Sequence, residues 1–313
     1  MTFEELFNSL EEEIKTIHDD SFTIDITESN NIPSYDNSAL TFANFDSKNQ
    51  KVIKIKTAIL FIDIRKSSKI SLESDADNLV KLYSSFTRSM IRVAEFYQGK
   101  VRSIIGDRIM VVFEYASCGQ DSVKTAVAMT EIIKLLNKHF KQAYLKCGIG
   151  IDAGEVLVSK CGIIKRGSEN SHYKELTWSG TIANTASKLT DKANKTISKS
   201  TIIDGAQIGY TKSTLLGGGL RWEFMPSKEL IDKLKDGTTF SPRINFPNPS
   251  FSTLFHTTKT SYESFTFPPI LITDAVINEI KLEDDWETFL KQLGLIKIDK
   301  KIEDVTKQIF GIK

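Results

Sequence analysis

The stretch that decides the fold is Ala58–Phe113. It begins with the apolar run AILFI, which leads directly into Asp63, and it ends with VRSIIGDRIMVVF at positions 101–113. The second part reads as two short β-branched runs joined at Gly106 and Asp107, which is typical of a tight hairpin with the aspartate at its tip. If the two strands are neighbours in one sheet, both aspartates lie at the same edge, where carboxylates can hold a divalent cation and its phosphate ligands.

The segments after each strand show helical periodicity. Apolar residues recur every three or four positions between Asn78 and Tyr97 and again from about Gln120 to Phe140, which predicts two amphipathic helices. A glycine-punctuated strand pair is expected at Leu145–Val158, and a third helix is expected to begin around Thr181. The order strand, helix, hairpin, helix, strand predicts a ferredoxin-like α+β fold, with an antiparallel sheet and helices on one face.

The flanking segments set the predicted domain organisation. Residues 1–51 are expected to form a short amphipathic helix, which caps the domain or contributes to a dimer, followed by an irregular lead-in. The remainder is predicted to be one domain, divided into a regular core at 52–194, an insertion at 195–269 and a returning segment at 270–313. The second half of the insertion is rich in Pro, Phe and Ser and shows no stable periodicity.

Composition limits the classes of function. The 313 residues include 41 Lys and Arg against 40 Asp and Glu, so neither bulk attraction to nucleic acid nor binding to an anionic membrane is indicated. No apolar run approaches the roughly 20 residues that span a bilayer, and the N-terminus does not resemble a signal peptide, which predicts a cytoplasmic protein. The three cysteines match no zinc or disulfide spacing and are predicted to be reduced and mostly buried, and the four histidines show no metal-binding pairing: Cys118, Cys147, Cys161, His18, His139, His172 and His256.

Four landmarks in this order resemble the class III nucleotidyl cyclase catalytic domain. They are Asp63-Ile64 after the first strand, Gly106-Asp107 in the hairpin, GIDAGE at 150–155, and GTIANTASK at 180–188, where the family has Arg at the position of Lys188. The resemblance covers roughly 52–194 and a returning segment near 270–280. It implies intramolecular attack of a ribose 3′-hydroxyl on the α-phosphate of a nucleoside triphosphate, with release of pyrophosphate.

The resemblance also implies roles for individual residues. Asp63, the Ile64 carbonyl and Asp107 would bind two Mg²⁺ or Mn²⁺ ions, although Asp beside Gly is also common in turns for purely local hydrogen bonding. Asn184 and Lys188 lie four positions apart, hence on one helix face, and would orient the ribose and stabilise charge on the α-phosphate. Phosphate contacts are expected from the loop after the first aspartate, for which a solvated basic loop is the alternative: Arg65, Lys66, Ser67 and Ser68. The lysines at 297–301 are a weaker candidate for the same task.

The positions that read the base depart from the purine cyclases. Purine enzymes carry Lys or Glu four positions before the second aspartate, where this chain has Ser103 preceded by Arg102, and usually Asp or Cys seven positions before the Asn, where it has Thr177. The segment RSIIGD at 102–107 is similar to the corresponding segment of bacterial pyrimidine cyclases of Pycsar antiphage defence. This resemblance implies that the chain makes cyclic UMP, or alternatively cyclic CMP, from UTP or CTP, and that the product activates a separate effector.

The resemblance implies a homodimer as well. In class III cyclases the metal-binding aspartates come from one subunit and the Asn and the cation from the other, so each active site is composite. Two other interpretations stay open: an adenylyl or guanylyl cyclase with unusual base contacts, and an inactive cyclase-like nucleotide sensor.

Overall fold

The computed structural model describes residues 1–141, 144–162, 176–212, 219–235 and 250–312. The strands are β1 Thr23–Ser29, β2 Asn49–Ile64, β3 Lys100–Ile105, β4 Arg108–Val112, β5 Cys147–Lys160, β6 Leu176–Ser179, β7 Thr196–Lys212, β8 Gly219–Pro226, β9 Phe251–Thr266, β10 Ile270–Thr273, β11 Ile296–Ile298 and β12 Ile309–Ile312. The helices are α1 Phe3–His18, α2 Ser67–Glu73, α3 Ala76–Phe96, α4 Cys118–His139, α5 Thr181–Lys192, α6 Ser227–Lys235, α7 Asp274–Ile280 and α8 Trp286–Leu293. Among the described residues, no helix has the length and apolar character that spanning a membrane requires.

The chain divides into two compact units. The first contains Met1–Lys195 and Phe267–Lys313, and the second contains Thr196–Thr266. In the first unit the strand order is β11-β12-β10-β5-β2-β4-β3, with β1 beside the first half of β2 and β6 beside the end of β5. The central strand β2 is antiparallel to β4 and β5, whereas the β1–β2 and β5–β10 pairs are parallel. The α+β class predicted from the sequence is confirmed, with a mixed sheet in place of a purely antiparallel one.

Helices cover both faces of this sheet. On one face Leu60 and Ile62 of β2 pack with Phe86 of α3 in a core that also includes α4 and α7. On the other face Ile59 packs with Ala186 of α5. Helices on one face only were expected, and the difference follows from the AILFI run, because an uninterrupted apolar strand is buried on both sides.

Two local predictions were wrong. The lead-in is not wholly irregular, because Thr23–Ser29 forms β1 beside β2. The alternation of Ile24 and Ile26 with polar residues was the available signal for this strand, although both side chains are about half exposed. The region Leu145–Val158 is not a strand pair, because Cys147–Lys160 is one continuous strand. Its glycines serve close packing: a Cβ on Gly150 would overlap the Ala186 carbonyl oxygen of α5.

The second unit is a three-stranded antiparallel sheet in the order β8-β7-β9, together with α6. The chain enters this sheet at the start of the middle strand β7 and leaves it at the end of β9, and these two points are neighbours because Thr196 pairs with Thr266. The expectation that the second half of the insertion has no regular structure was wrong for Phe251–Thr266, which forms the 16-residue β9. Most β9 side chains are exposed Thr, Ser and charged residues, which explains why no apolar periodicity marks it.

Candidate active site

The two aspartates of the fold-deciding stretch meet at one edge of the sheet. Asp63 is the penultimate residue of β2, and Asp107 lies in the turn between β3 and β4, where Gly106 supplies the left-handed conformation with φ +61°. The pairing of β2 with β4 brings the strand end and the turn together, and the Ile64 amide donates a hydrogen bond to Asp107 Oδ2 at 3.1 Å. Asp63, Ile64 and Asp107 therefore form one cluster.

The electrostatics of this pair favour a cation. Burial raises the pKa of Asp107, and the hydrogen bond with Asp63 and its negative charge raise it further. A divalent cation between two such carboxylates would remove their repulsion, and hard oxygen ligands are what Mg²⁺ and Mn²⁺ accept. In the parts of the chain that the structure describes, no group of three or more His, Cys, Asp and Glu side chains gathers. The two carboxylates fit a divalent metal as a partial ligand set, which the Ile64 carbonyl, water and the substrate would complete.

The Arg65 side chain does not lie where a phosphate-binding residue was expected. It is buried, with Nη1 3.5 Å from Asp63 Oδ2 and Nη2 donating to the Thr190 carbonyl oxygen, and burial lowers the pKa of its guanidinium. Gly148 makes this position possible, because a Cβ there would overlap the guanidinium. Arg65 thus connects the end of β2 to α5. The remaining candidates for phosphate binding in this loop are Lys66, Ser67 and Ser68.

Arg108 is a site residue that the sequence analysis missed. Its Nη2 lies 3.3 Å from Asp63 Oδ2 and pairs with Asp191, while its Nη1 donates to Ser187 Oγ at 3.0 Å. Burial lowers the pKa of Arg108, but the hydrogen bond and charge of Asp191, followed by those of Asp63, outweigh it and raise the pKa. The available signal was a charged residue opening the otherwise apolar strand RIMVV. Arg108 thus connects Asp63, at the end of β2, to Ser187 and Asp191 of α5.

Helix α5 presents Asn184 on its exposed side, opposite the residues packed on the sheet, Ile182, Ala183 and Ala186. Lys188 is partly exposed, and its Nζ lies 3.0 Å from Asp304 Oδ2. Within one chain, Lys188 pairs with Asp304 and with neither Asp63 nor Asp107.

The three candidate base-reading residues fall in two places. A bulge between Val101 and Ser103 sets Ser103 opposite Met110, whose side chain packs under α5, so Ser103 faces that side of the sheet. Arg102 is half-buried, and among the described residues its Nε has no hydrogen-bond partner. Thr177 is exposed on β6, which β5, β2 and β4 separate from β3. Within one chain, the structure does not bring Thr177 beside Arg102 and Ser103.

A second buried acid, Asp152, lies in β5. Asp152 of the GIDAGE segment accepts hydrogen bonds from Thr273 Oγ1 at 2.6 Å and from Lys307 Nζ at 2.7 Å. Burial nevertheless raises the pKa of Asp152. Lys307 ties β5 to the segment before β12, and neither residue was singled out by the sequence analysis.

The cysteines are free thiols, as predicted. Cys118 and Cys147 are buried, and burial raises the pKa of each to about 12, whereas Cys161 is exposed. Of the histidines, His256 contacts Asp204 at 2.5 Å in the second unit, and His172 lies outside the described residues.

The fold and this edge define a nucleotide cyclase domain: a sheet whose central strand and adjoining hairpin end in paired aspartates, backed by a helix that carries Asn and a cation. Residues 49–204 match the family model described as the adenylate and guanylate cyclase catalytic domain. The chain belongs to the class III nucleotide cyclases.

Similar proteins include pyrimidine cyclases. A uridylate cyclase of Gulbenkiania mobilis is 29% identical over 201 residues, which cover 60% of this chain and 71% of that protein. A cytidylate cyclase of Staphylococcus aureus is 31% identical over 147 residues, covering 43% of this chain and 33% of that protein. The crystal structure of the adenylyl cyclase CyaB from P. aeruginosa aligns with a TM-score of 0.49 and 16% identity over 84% of this chain and 96% of that chain.

Proposed function

We propose that the chain converts UTP to 3′,5′-cyclic UMP and pyrophosphate. The observation that carries the proposal is the juxtaposition of Asp63 and Asp107, a partly buried carboxylate pair whose mutual repulsion a divalent cation would relieve. The names of the relatives, three uridylate cyclases and one cytidylate cyclase, support a pyrimidine substrate.

Asp63, the Ile64 carbonyl and Asp107 would hold two Mn²⁺ or Mg²⁺ ions. When bound, such ions lower the pKa of the ribose 3′-hydroxyl and neutralise charge on the triphosphate. The reaction forms the bond from O3′ to the α-phosphorus, breaks the bond from that phosphorus to the bridging oxygen, and releases the hydroxyl proton. By holding the ions at one place, Asp63 and Asp107 would fix where the attacking oxygen and the triphosphate lie relative to each other.

The remaining polar residues act on the substrate. Lys66, Ser67 and Ser68 offer backbone amides, hydroxyls and one cation to the β- and γ-phosphates. Asn184 orients the ribose, and the Lys188 ammonium stabilises charge on the α-phosphate in the transition state. Because Lys188 pairs with Asp304 in its own chain, we assign the Asn184 and Lys188 pair to the active site of a second copy, which makes the enzyme a homodimer with composite sites.

Base reading is assigned to Arg102 and Ser103. The Arg102 guanidinium and the Ser103 hydroxyl are hydrogen-bond donors of the kind that pyrimidine carbonyl oxygens accept. Neither Ser103 nor Thr177 has the charge that purine cyclases place at these positions. Uracil is preferred to cytosine because of the relatives' names; cytidylate cyclase activity is the second candidate for the same reason.

The biological role is inferred from a resemblance in sequence. The segment RSIIGD at 102–107 resembles that of the pyrimidine cyclases of Pycsar antiphage defence, and on this resemblance we assign the product to a separate effector that binds the cyclic nucleotide. The chain itself then needs no contact with nucleic acid or membrane.

The test is incubation of the purified protein with ATP, GTP, CTP and UTP in separate reactions with Mn²⁺, with products resolved by chromatography and mass. Cyclic UMP is expected from wild type, and Asp63→Ala should abolish it, whereas Asp232→Asn, at an exposed position of α6, should leave it unchanged. Cyclic CMP alone would transfer the assignment to cytosine. Cyclic AMP or cyclic GMP would overturn the base reading, and no product at any protein concentration would favour the nucleotide sensor.

A further inference from the structure

Helix α1 carries an apolar stripe that its own chain does not cover. The helix contains no buried residue, and the exposed fractions of the stripe are Phe3 79%, Phe7 57%, Leu10 43%, Ile14 65% and Ile17 47%. Exposed apolar residues scattered singly are ordinary, but five in line on one helix indicate an interaction surface.

The spacing of the stripe is that of a coiled-coil seam. The five residues follow one another at intervals of four, three, four and three positions, which is the 3.5-residue repeat of two helices that wrap around each other. Leu6 flanks this seam on one side and is partly buried. The helix also stabilises its own start, since Thr2 and Glu5 exchange hydrogen bonds in a capping box.

The charge of α1 argues against a lipid surface as the occupant. The helix carries five glutamates, one lysine and one histidine, whereas helices that lie on anionic membranes carry lysine and arginine on their polar face. A heptad seam, by contrast, is complementary to a second copy of itself.

We infer that α1 pairs with α1 of a second copy of this chain along the Phe3–Ile17 seam. Burying roughly 100 Å² of apolar surface per side chain removes about 500 Å² per helix from water. The pair then buries about 1,000 Å², the lower end of what a specific interface needs. Two heptads are marginal for an isolated dimer, so the seam adds to the contact between cyclase domains in the proposed homodimer.

The first test is the dimer dissociation constant by analytical ultracentrifugation of the full chain. Leu10→Ser combined with Ile14→Ser should weaken dimerisation about ten-fold or more, with an unchanged fold by circular dichroism because both side chains are exposed. The matched control is Asn8→Ser combined with Glu12→Ser on the opposite side of the helix, which should have no effect. An unchanged dissociation constant in the seam variant would overturn the inference.

A second test is disulfide cross-linking in a Cys161→Ser background, which removes the exposed thiol. Leu10→Cys should form a covalent dimer on mild oxidation, and Glu12→Cys, on the outer side of α1, should form none. Equal cross-linking at both positions, or none at Leu10→Cys, would count against the seam. The inference relies on the proposed function only for the domain dimer. Cross-linking at Leu10→Cys without any nucleotide product would refute the proposed activity and support the pairing of α1 helices. Cyclase activity without cross-linking would support the activity and refute the pairing.

Discussion

At the scale of single residues, the site contains two aspartates and two arginines whose charges are unevenly paired. Asp63 has Arg65 at 3.5 Å and Arg108 at 3.3 Å, whereas Asp107 receives the Ile64 amide and has a raised pKa. The uneven partnering leaves Asp107 as the carboxylate with most to gain from a cation.

The first prediction concerns Asp107→Asn. A raised pKa means that the folded protein holds this proton more tightly than the unfolded chain, so the stabilisation is complete at low pH and is lost as the pH rises through the raised pKa. In metal-free buffer the wild type should therefore lose stability relative to Asp107→Asn as the pH rises above the ordinary pKa of an aspartate, about 4. Melting temperatures across this range check it, and parallel curves would contradict it. Saturating Mn²⁺ at pH 7 should raise the melting temperature of the wild type by about 3–6 °C and leave that of the variant unchanged.

The second prediction concerns Arg108. Arg108→Ala removes hydrogen bonds to Asp63 and Ser187 and the ion pair with Asp191, all partly buried. The expected loss is about 1–2 kcal/mol in the free energy of unfolding, measured by denaturant titration. Arg108→Lys keeps the charge but only one donor group, so it should recover part of the stability and less of the activity. A full recovery of both by Lys would show that charge alone matters there.

At the scale of elements, the site depends on how closely α5 lies on the sheet. Gly150 permits this approach, because any side chain there would meet the α5 backbone at Ala186 and Thr190. The helix carries Asn184 and Lys188, so its distance from the sheet sets where both residues reach.

The third prediction follows from this contact. Gly150→Ala should lower the free energy of unfolding by about 2–3 kcal/mol through overpacking and reduce cyclase activity as α5 moves outward. Gly106→Ala is the matched variant: its position is open, so only the left-handed backbone with φ +61° opposes it, at about 1 kcal/mol. Denaturant titrations of both variants check the difference. Equal losses would mean that the α5 contact carries no special weight.

Sequence patterns predicted two kinds of element. They are helices that bury one face, and turns whose conformation depends on neighbouring residues in the chain. The helices at α3, α4 and α5 and the Gly106 hairpin were all predicted, because apolar spacing and a left-handed glycine act over a few residues. The position of α5 across the sheet, the inward turn of Arg65 and the reach of Arg108 to Asp191 depend on contacts between residues far apart in the chain. Such contacts leave no periodic trace in a single sequence.

At the scale of the whole molecule, the proposed composite site predicts complementation. Neither Asp63→Ala nor Asn184→Ala should be active alone. Random mixing yields heterodimers as half of all dimers, each with one intact site, so the mixture should recover about one quarter of wild-type activity. The measurement is product formation across a range of total protein concentration, with Asp63→Ala combined with Asn184→Ala in one chain as the control. Absence of recovery at every concentration would mean that each chain builds its own site.

The second unit joins the first through two strands that start and finish as neighbours. Thr196 is paired with Thr266, and the Phe267 amide donates to the Lys195 carbonyl oxygen at 2.9 Å. In the first unit, Lys195 and Phe267 are therefore neighbours. They could keep this arrangement whether 71 residues or a two-residue turn connected them. In evolutionary terms, this junction is a site at which an inserted module can be lengthened, shortened or exchanged without changing the positions of Asp63 and Asp107.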